Sequence, residues 1–252
     1  MTPRRIQFAK FVGRLYPFLS GRNRAAHNPL ARLAVSGWHG DGGLDWASLT
    51  NGRLALVPVD DYMGRTICLT GDIDRKISTI FRRILEPGDR VLDIGANMGV
   101  FTLYLANLVG PSGLVHSFEP NPLMLELLQQ SIRRNELSNV RLHAFALGSE
   151  ECSLELAFPT NGLGKATLAS DRAGDGWNRV TVPVRTLASV ADECAFGRVR
   201  LLKIDVEGFE APVFEGGRRW LETSPPDAVV FESNGRRDGG VDPVVEILTG
   251  LG

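Results

Sequence analysis

From residue 90 onward the sequence predicts an α/β fold of Rossmann-like type, a mostly parallel sheet with helices on both faces. Three observations carry that prediction. Short apolar runs of strand length alternate with helical segments of ten or more residues, a glycine-bearing turn (VLDIGANMG, residues 91–99) closes the first run, and the second ends on an acidic residue, Glu119. Such alternation builds βαβ units, and right-handed crossovers force their strands into one parallel sheet.

Taken in order, the elements start beyond a Gly- and Asp-rich stretch, residues 38–52, which reads as a loop and sets a boundary near residue 40. Residues 54–59 and 66–69 are short apolar runs around Asp60, Asp61 and Gly64, the pattern of a small hairpin. Residues 77–85 place Ile77, Ile80, Phe81, Ile84 and Leu85 on one helical face, and Pro87 and Gly88 stop that helix. Strand runs follow at 90–94, 114–118 and 140–146, separated by helices at 100–109 and 123–135. Two more buried-strand candidates, 201–206 and 228–231, flank a helix at 210–221 and bring the parallel strands to five. Between 152 and 190 the rhythm breaks. Leu154, Leu156 and Phe158 alternate, as do Val180, Val182 and Val184, around a Gly-, Asp- and Ala-rich stretch at 161–178, which predicts an antiparallel excursion with a mobile loop. The expected organisation is a basic segment over 1–40, a small hairpin and helix over 41–86, and a nucleotide-binding core over 87–252.

Composition sets the outer limits. The chain has 252 residues, 43% hydrophobic and 23% charged, with a formal net charge of -1, so it is globular and lacks the excess of Lys and Arg that binding a nucleic-acid backbone needs. Cys68, Cys152 and Cys194 are widely spaced and odd in number, which supports neither a disulfide framework nor a zinc ribbon and fits a reducing, cytoplasmic setting. No apolar run is long enough to span a bilayer. Arg4, Arg5, Lys10, Arg14, Arg22, Arg24 and Arg32 precede the first acidic residue, Asp41, and apolar residues interleave with them at helical spacing over 4–16. A basic amphipathic helix is expected there, packed on its own core with its arginines solvated. Peripheral membrane contact through residues 1–36 is the alternative.

The turn at 91–99 sits where open parallel sheets bind ligands, outside the carboxyl ends of the strands. Its glycines, Gly95 and Gly99, are spaced GxxxG, so the GxGxxG of dinucleotide sites is absent, and an acidic residue, Asp93, lies within the motif. A carboxylate repels a pyrophosphate but favours a cationic ligand, which points to S-adenosylmethionine, with its ammonium and sulfonium. Glu119 in HSFEPN is placed to accept hydrogen bonds from ribose hydroxyls, Asn121 to cap the next helix, and Phe145, Ala146 and Leu147 to line an adenine pocket.

With LLKIDVEGFE at 201–210 the sequence resembles the FkbM-type methyltransferases, through GDRVLDIGANMGVFTLYLA, HSFEPNP, a third-strand ALG and a later strand ending in FES. The likeness runs over roughly residues 50–250. It implies a class I methyltransferase fold, S-adenosylmethionine as methyl donor, and O-methylation of a hydroxyl on a sugar, glycan or secondary metabolite. By motif position Asp93, Gly95, Ala96, Asn97, Gly99, Glu119, Pro120 and Ala146 would carry the cofactor, and Asp205 and Glu207 would border the reacting centre. One departure is expected: the sequence stops just after a helical stretch at 243–248, so the closing antiparallel hairpin of that fold would be missing, leaving the last strand as an edge for an oligomer or partner to cover.

Removing a proton from an alcohol needs a positioned base, and Asp205 and Glu207 are the candidates, with Lys203 next. The structural alternative for Lys203 is an ion pair with nearby carboxylates. His116 and His143 fall inside strand runs and are expected to line the core; Glu210 and Glu215 read as helix-surface charges. Asp205, Glu207 and Glu232 could gather around a divalent cation, although carboxylates also cluster around cationic ligands. Two rival functions share the sheet: a catalytically impaired module that binds S-adenosylmethionine or a partner, and an NAD(P)-dependent oxidoreductase, which the glycine spacing disfavours. The acceptor itself is not legible. Loop 161–178 and the region of Asp60 to Tyr62 are expected to select it.

Overall fold

A computed structural model describes residues 43–159, 166–168, 174, 176–232 and 241–250; the basic N-terminal segment and most of loop 161–178 lie outside the described residues. The chain order begins with an antiparallel hairpin, β1 (Leu44–Ser48) and β2 (Leu54–Pro58), followed by helices α1 (Tyr62–Thr70) and α2 (Arg75–Ile84). The core then alternates β3 (Arg90–Ile94), α3 (Val100–Val109), β4 (Leu114–Phe118), α4 (Pro122–Arg134) and β5 (Val140–His143). An excursion of β6 (Ala146–Gly148), β7 (Cys152–Phe158), β8 (Asn178–Thr186) and α5 (Leu187–Cys194) precedes β9 (Leu201–Ile204), α6 (Glu210–Thr223), β10 (Ala228–Phe231) and α7 (Pro243–Thr249).

The central sheet runs β10-β9-β3-β4-β5 with every pairing parallel. Its residues alternate between two cores, as the period of a strand requires. Val91, Val115 and Leu201 pack with Phe81, Tyr104 and Leu105 under α2 and α3, while Leu92, Ile94, Phe118, Leu202 and Ile204 pack with Phe214 and Trp220 under α5 and α6. Both faces are covered, which is why these strands read as continuous apolar runs. Local signals start the helices: Asp74 Oδ1 accepts from the Lys76 N–H at 2.7 Å, and Asn121 Oδ1 from Leu123 N at 3.0 Å just before Pro122.

Four expectations change. The hairpin is β1 with β2, and residues 66–69, expected as its second strand, belong to α1. A four-residue apolar run does not distinguish strand from buried helix, and the stronger cue was Asn51-Gly52, a tight-turn pair whose glycine sits at φ 84°. The third strand stops at His143; Ala146–Gly148 leaves the central sheet and pairs with β8 in a three-stranded sheet, β6-β8-β7. Helix α5 lies within the stretch read as an antiparallel excursion, while the antiparallel pair itself, β7 with β8, is present. The fourth strand ends at Ile204, not Val206. Among the described residues β10 pairs only with β9, no helix is long and apolar enough to cross a membrane, and all three cysteines are free thiols.

The hairpin is tied to the core by polar side chains in α4 and at its C-cap, Asn135. Ser131 Oγ accepts from Leu56 N at 2.9 Å, Asn135 Oδ1 accepts from Leu54 N at 2.9 Å, and Asn135 Nδ2 donates to Leu54 O at 2.6 Å, so the free edge of β2 is satisfied by a helix. Asn135→Ala strips both backbone groups of Leu54 of their partner. The expected loss is ~1–3 kcal/mol of unfolding free energy in urea; an unchanged midpoint and slope would show that the hairpin docks by apolar contact alone.

Candidate active site

The site begins where β3 stops. Gly95 adopts φ 75°, and the N–H groups of Gly95 and Ala96 both donate to Phe118 O at 3.0 Å, which folds the turn across the end of β4. Asn97 follows in the left-handed region (φ 54°), which a short polar side chain tolerates, and its Oδ1 accepts from Met98 N at 2.7 Å. The Asn97 N–H is thereby aimed at Glu119, whose Oε2 accepts it at 2.7 Å while Oε1 accepts the Asn121 N–H at 2.7 Å. Glu119 is 5% exposed. Burial pushes its carboxyl up to about 7, against the two backbone donors and the Lys203 charge, which pull it down.

Beneath the turn lies a buried ion pair. Asp93 and Lys203 are direct neighbours across β3 and β9, and Lys203 Nζ stands 3.1 Å from Asp93 Oδ1, a Coulombic contact whose angles fall short of a hydrogen bond. Lys203 Nζ also donates to Gly95 O at 2.9 Å, and Thr102 Oγ1 donates to Asp93 Oδ2 at 2.6 Å. Burial by itself would lower the lysine, but the carboxylates of Asp93 and Asp205 outweigh it and hold the ammonium above its ordinary value.

Across from Glu119, the chain leaves β9 through residues 205–208. Glu207 is left-handed at φ 52° and Gly208 at φ 95°. Glu210 is buried, and its Oε1 accepts from Val206 N at 3.1 Å and Gly208 N at 3.2 Å. This residue is no helix-surface charge, as its place in the sequence suggested. The available signal was a carboxylate two residues after a glycine at a helix start, where free N–H groups collect.

These elements enclose a pocket of about 970 Å³, part of it open to solvent. Of the sequence-predicted residues, Gly95, Ala96, Asn97, Glu119, Pro120, Ala146, Lys203, Asp205 and Glu207 line it. Phe145 and Leu147 line it too. Asp93 and Gly99 do not. Asp93 is fully buried below the floor in its pair with Lys203, and a Cβ on Gly99 would come within 2.1 Å of Leu128, so that glycine serves the packing of α3 on α4. Lys203 is corrected as a base: an ammonium held by carboxylates keeps its proton. Sequence reading missed the apolar wall made by Met63, Ile73, Phe101, Leu156, Leu168 and Phe209, which is drawn from segments far apart in the chain.

Among the described residues Asp205, Glu207 and Glu232 do not come together as ligands of an ion; the grouping with that spacing is His116, His143 and Cys194, donor atoms within 4.8 Å of one another. His116 Nδ1 and His143 Nε2 are 3.0 Å apart, and burial lowers both rings, His116 to about 4, so they form a neutral hydrogen-bonded pair against Phe196 and Phe118.

The sequence model of the Methyltransferase FkbM domain matches residues 93–251. The chain belongs to the FkbM methyltransferase family. The match takes in every predicted site residue, from Asp93 to Glu207. Among curated FkbM-type relatives, "31-O-demethyl-FK506 methyltransferase FkbM" of Streptomyces tacrolimicus is 29% identical over 197 residues, covering 67% of this chain and 74% of that protein. "Methyltransferase 1" of Beauveria bassiana is 32% identical over 143 residues, half of this chain, and the aligned part spans just over half of that relative, 57%. A crystal structure of methyltransferase FkbM from Methylobacillus flagellatus aligns with a TM-score of 0.46 at 18% identity, covering 75% of this chain and 47% of that one.

The ion pair gives the site its first test. Lys203→Met leaves the Asp93 charge buried without its partner, and the expected cost is ~3–5 kcal/mol in chemical denaturation. Stability equal to the unsubstituted protein would mean that water reaches Asp93 and that the floor is not sealed.

Proposed function

We propose that this FkbM-family chain binds S-adenosylmethionine in the pocket and transfers its methyl group to a hydroxyl oxygen of a sugar, glycan or secondary metabolite. The observation that carries the reading is that Glu119, after β4, and Asp205 and Glu207, after β9, line one pocket at the ends of the two parallel strands that flank β3. The donor set fits the cofactor. Glu119 offers a buried carboxylate to the ribose hydroxyls, Gly95, Ala96 and Asn97 bring backbone against the ligand, and Pro120 and Ala146 with Phe145 supply an apolar wall for adenine. The name of the Streptomyces relative specifies transfer to an oxygen, which supports the same acceptor atom here.

Bound S-adenosylmethionine supplies a methyl carbon made electrophilic by its sulfonium. The protein's part is to hold an acceptor oxygen in line with that carbon, and such positioning is worth ~7–11 kcal/mol of barrier. Asp205 or Glu207 takes the hydroxyl proton, a contribution of ~10²–10⁴-fold. Lys203, fixed as a cation in the pocket floor, keeps Asp93 and the strand ends in place. The wall from Met63, Ile73 and Leu168 excludes water from the reacting oxygen, which gives the hairpin-and-helix segment over 41–86 a role in closing the site.

Two measurements test this reading. Because Glu119 holds its proton up to about pH 7 in the free protein and ribose hydroxyls donate best to the anion, binding expels a proton below that pH. Affinity for S-adenosylmethionine should therefore rise from pH 5.5 to 8, by up to about tenfold per unit below 7, with proton release visible as buffer-dependent heat in calorimetry. Glu119→Gln should bind more weakly with no such slope; a flat profile in the unsubstituted protein excludes Glu119 from the contact. For the chemistry, incubation with labelled S-adenosylmethionine and host glycan or metabolite pools should give a product heavier by one methyl group. Asp205→Asn or Glu207→Gln should slow its formation by ~10²–10⁴-fold while cofactor affinity stays within a few-fold. Full activity in both variants would remove these carboxylates from the mechanism.

A further inference from the structure

The 205–208 turn is irregular and tied by side chains from two other segments. Its backbone lies directly on the pocket floor: a Cβ on Gly95 would stand 1.9 Å from Asp205 O and 3.1 Å from Val206 Cγ1. Two successive residues, Glu207 and Gly208, adopt positive φ, a conformation that an ordinary side chain at 207 resists and that persists only where surroundings impose it. Two side chains impose it here. From the first turn of α6, one oxygen of the buried Glu210, Oε1, accepts both Val206 N and Gly208 N. From the opposite side Thr167 Oγ1 donates to Glu207 O at 3.1 Å. Thr167 is itself buried and held by paired backbone hydrogen bonds with Ala157 of β7, at 3.0 and 2.9 Å, and its neighbours Ala166 and Leu168 line the pocket.

We propose that Glu210 and Thr167 are positioning residues that clamp the 205–208 turn, with Thr167 coupling the Ala166–Leu168 wall to the backbone of Glu207. Neither needs to touch a ligand. The clamp fixes where Asp205, Val206 and Glu207 stand in the pocket wall, and the Thr167–Glu207 hydrogen bond transmits to Glu207 what presses on Ala166 or Leu168. This role rests on the function proposed above, since a shaped turn matters only if the pocket is used.

The number of accepting atoms makes the idea sharp. A glutamine carbonyl can accept both N–H groups as one carboxylate oxygen does, and serine can replace the threonine hydroxyl, whereas alanine and valine cannot. In full-length protein, binding of S-adenosylhomocysteine is measured by calorimetry for E210Q, E210A, T167S and T167V, together with unfolding midpoints and the amide resonances of Val206 and Gly208. E210Q and T167S should bind within about twofold of the unsubstituted chain, T167V, which loses one hydrogen bond, about tenfold more weakly, and E210A, which loses two, at least about tenfold more weakly. The two amide resonances should move in E210A and stay in E210Q. Equal binding by E210A and T167V, or damage in E210Q as large as in E210A, overturns the clamp. If E210A does not fold, the T167V against T167S comparison and the E210Q spectrum decide the matter. Failure of the unsubstituted chain to bind S-adenosylhomocysteine would instead count against the proposed function, while the amide resonances still report on the clamp.

Discussion

The site stands on one buried ion pair. Asp93 and Lys203 face each other in register across β3 and β9, and their charges have been taken out of water, which costs several kcal/mol for each ion and is recovered only when the remaining polar valences are filled. Here parts of the site fill them, except that Asp93 Oδ1 faces the Lys203 ammonium without a hydrogen bond. Lys203 reaches up to Gly95 O in the turn above, and Asp93 reaches sideways to Thr102 of α3, whose hydroxyl lies 3.1 Å from Ser117 Oγ of β4. Four elements therefore meet at one polar network on the α3 face of the sheet. The pocket floor is the top of that network, so its shape is set by contacts that no ligand has to make.

The sheet topology explains why the floor lies where it does. From β3 the chain builds outward through β4 to β5, then crosses over to lay β9 and β10 on the other side of β3. Connections leave the strand ends in opposite directions at that point, and a crevice opens between them. Glu119 enters it from β4 and the 205–208 turn from β9. The excursion β6 to β8 then walls the crevice on the Ala146 side, and α1 with the residues before α2 wall it with Met63 and Ile73. Polar groups thus concentrate at the strand tips and apolar ones around the rim, an arrangement that can bind a charged ligand while keeping water from one edge of it.

Burial assigns different work to residues of the same chemistry. Three carboxylates in or under the pocket illustrate this. Asp93 is neutralised by a lysine, Glu119 is desolvated and bonded to two backbone N–H groups, and Glu210 serves as an internal acceptor for a turn. Neither charge nor neighbouring sequence separates these roles. The direction in which each side chain leaves its backbone does, and that depends on strand parity for Asp93 and on the helix start for Glu210.

The sequence by itself determined most of the central sheet and pointed to the strand ends where the pocket opens. Strands 90–94, 114–118 and 228–231 and helix 100–109 were legible to the residue, because strands covered on both faces need unbroken apolar runs, and glycine and proline mark their ends. The glycine turn and Glu119 were legible because their chemistry depends on adjacent residues. Tertiary structure alone decided the rest. It turned Asp93 away from the pocket to meet Lys203, sent Ala146 into a second sheet, made residues 66–69 a helix and gathered the apolar wall from Met63, Phe101, Leu156 and Phe209. The reason is physical. Local pattern fixes which face of its own element a residue occupies, but what covers that face comes from segments tens of residues away, and only their packing decides whether a polar group meets a ligand, a counter-charge or a backbone N–H.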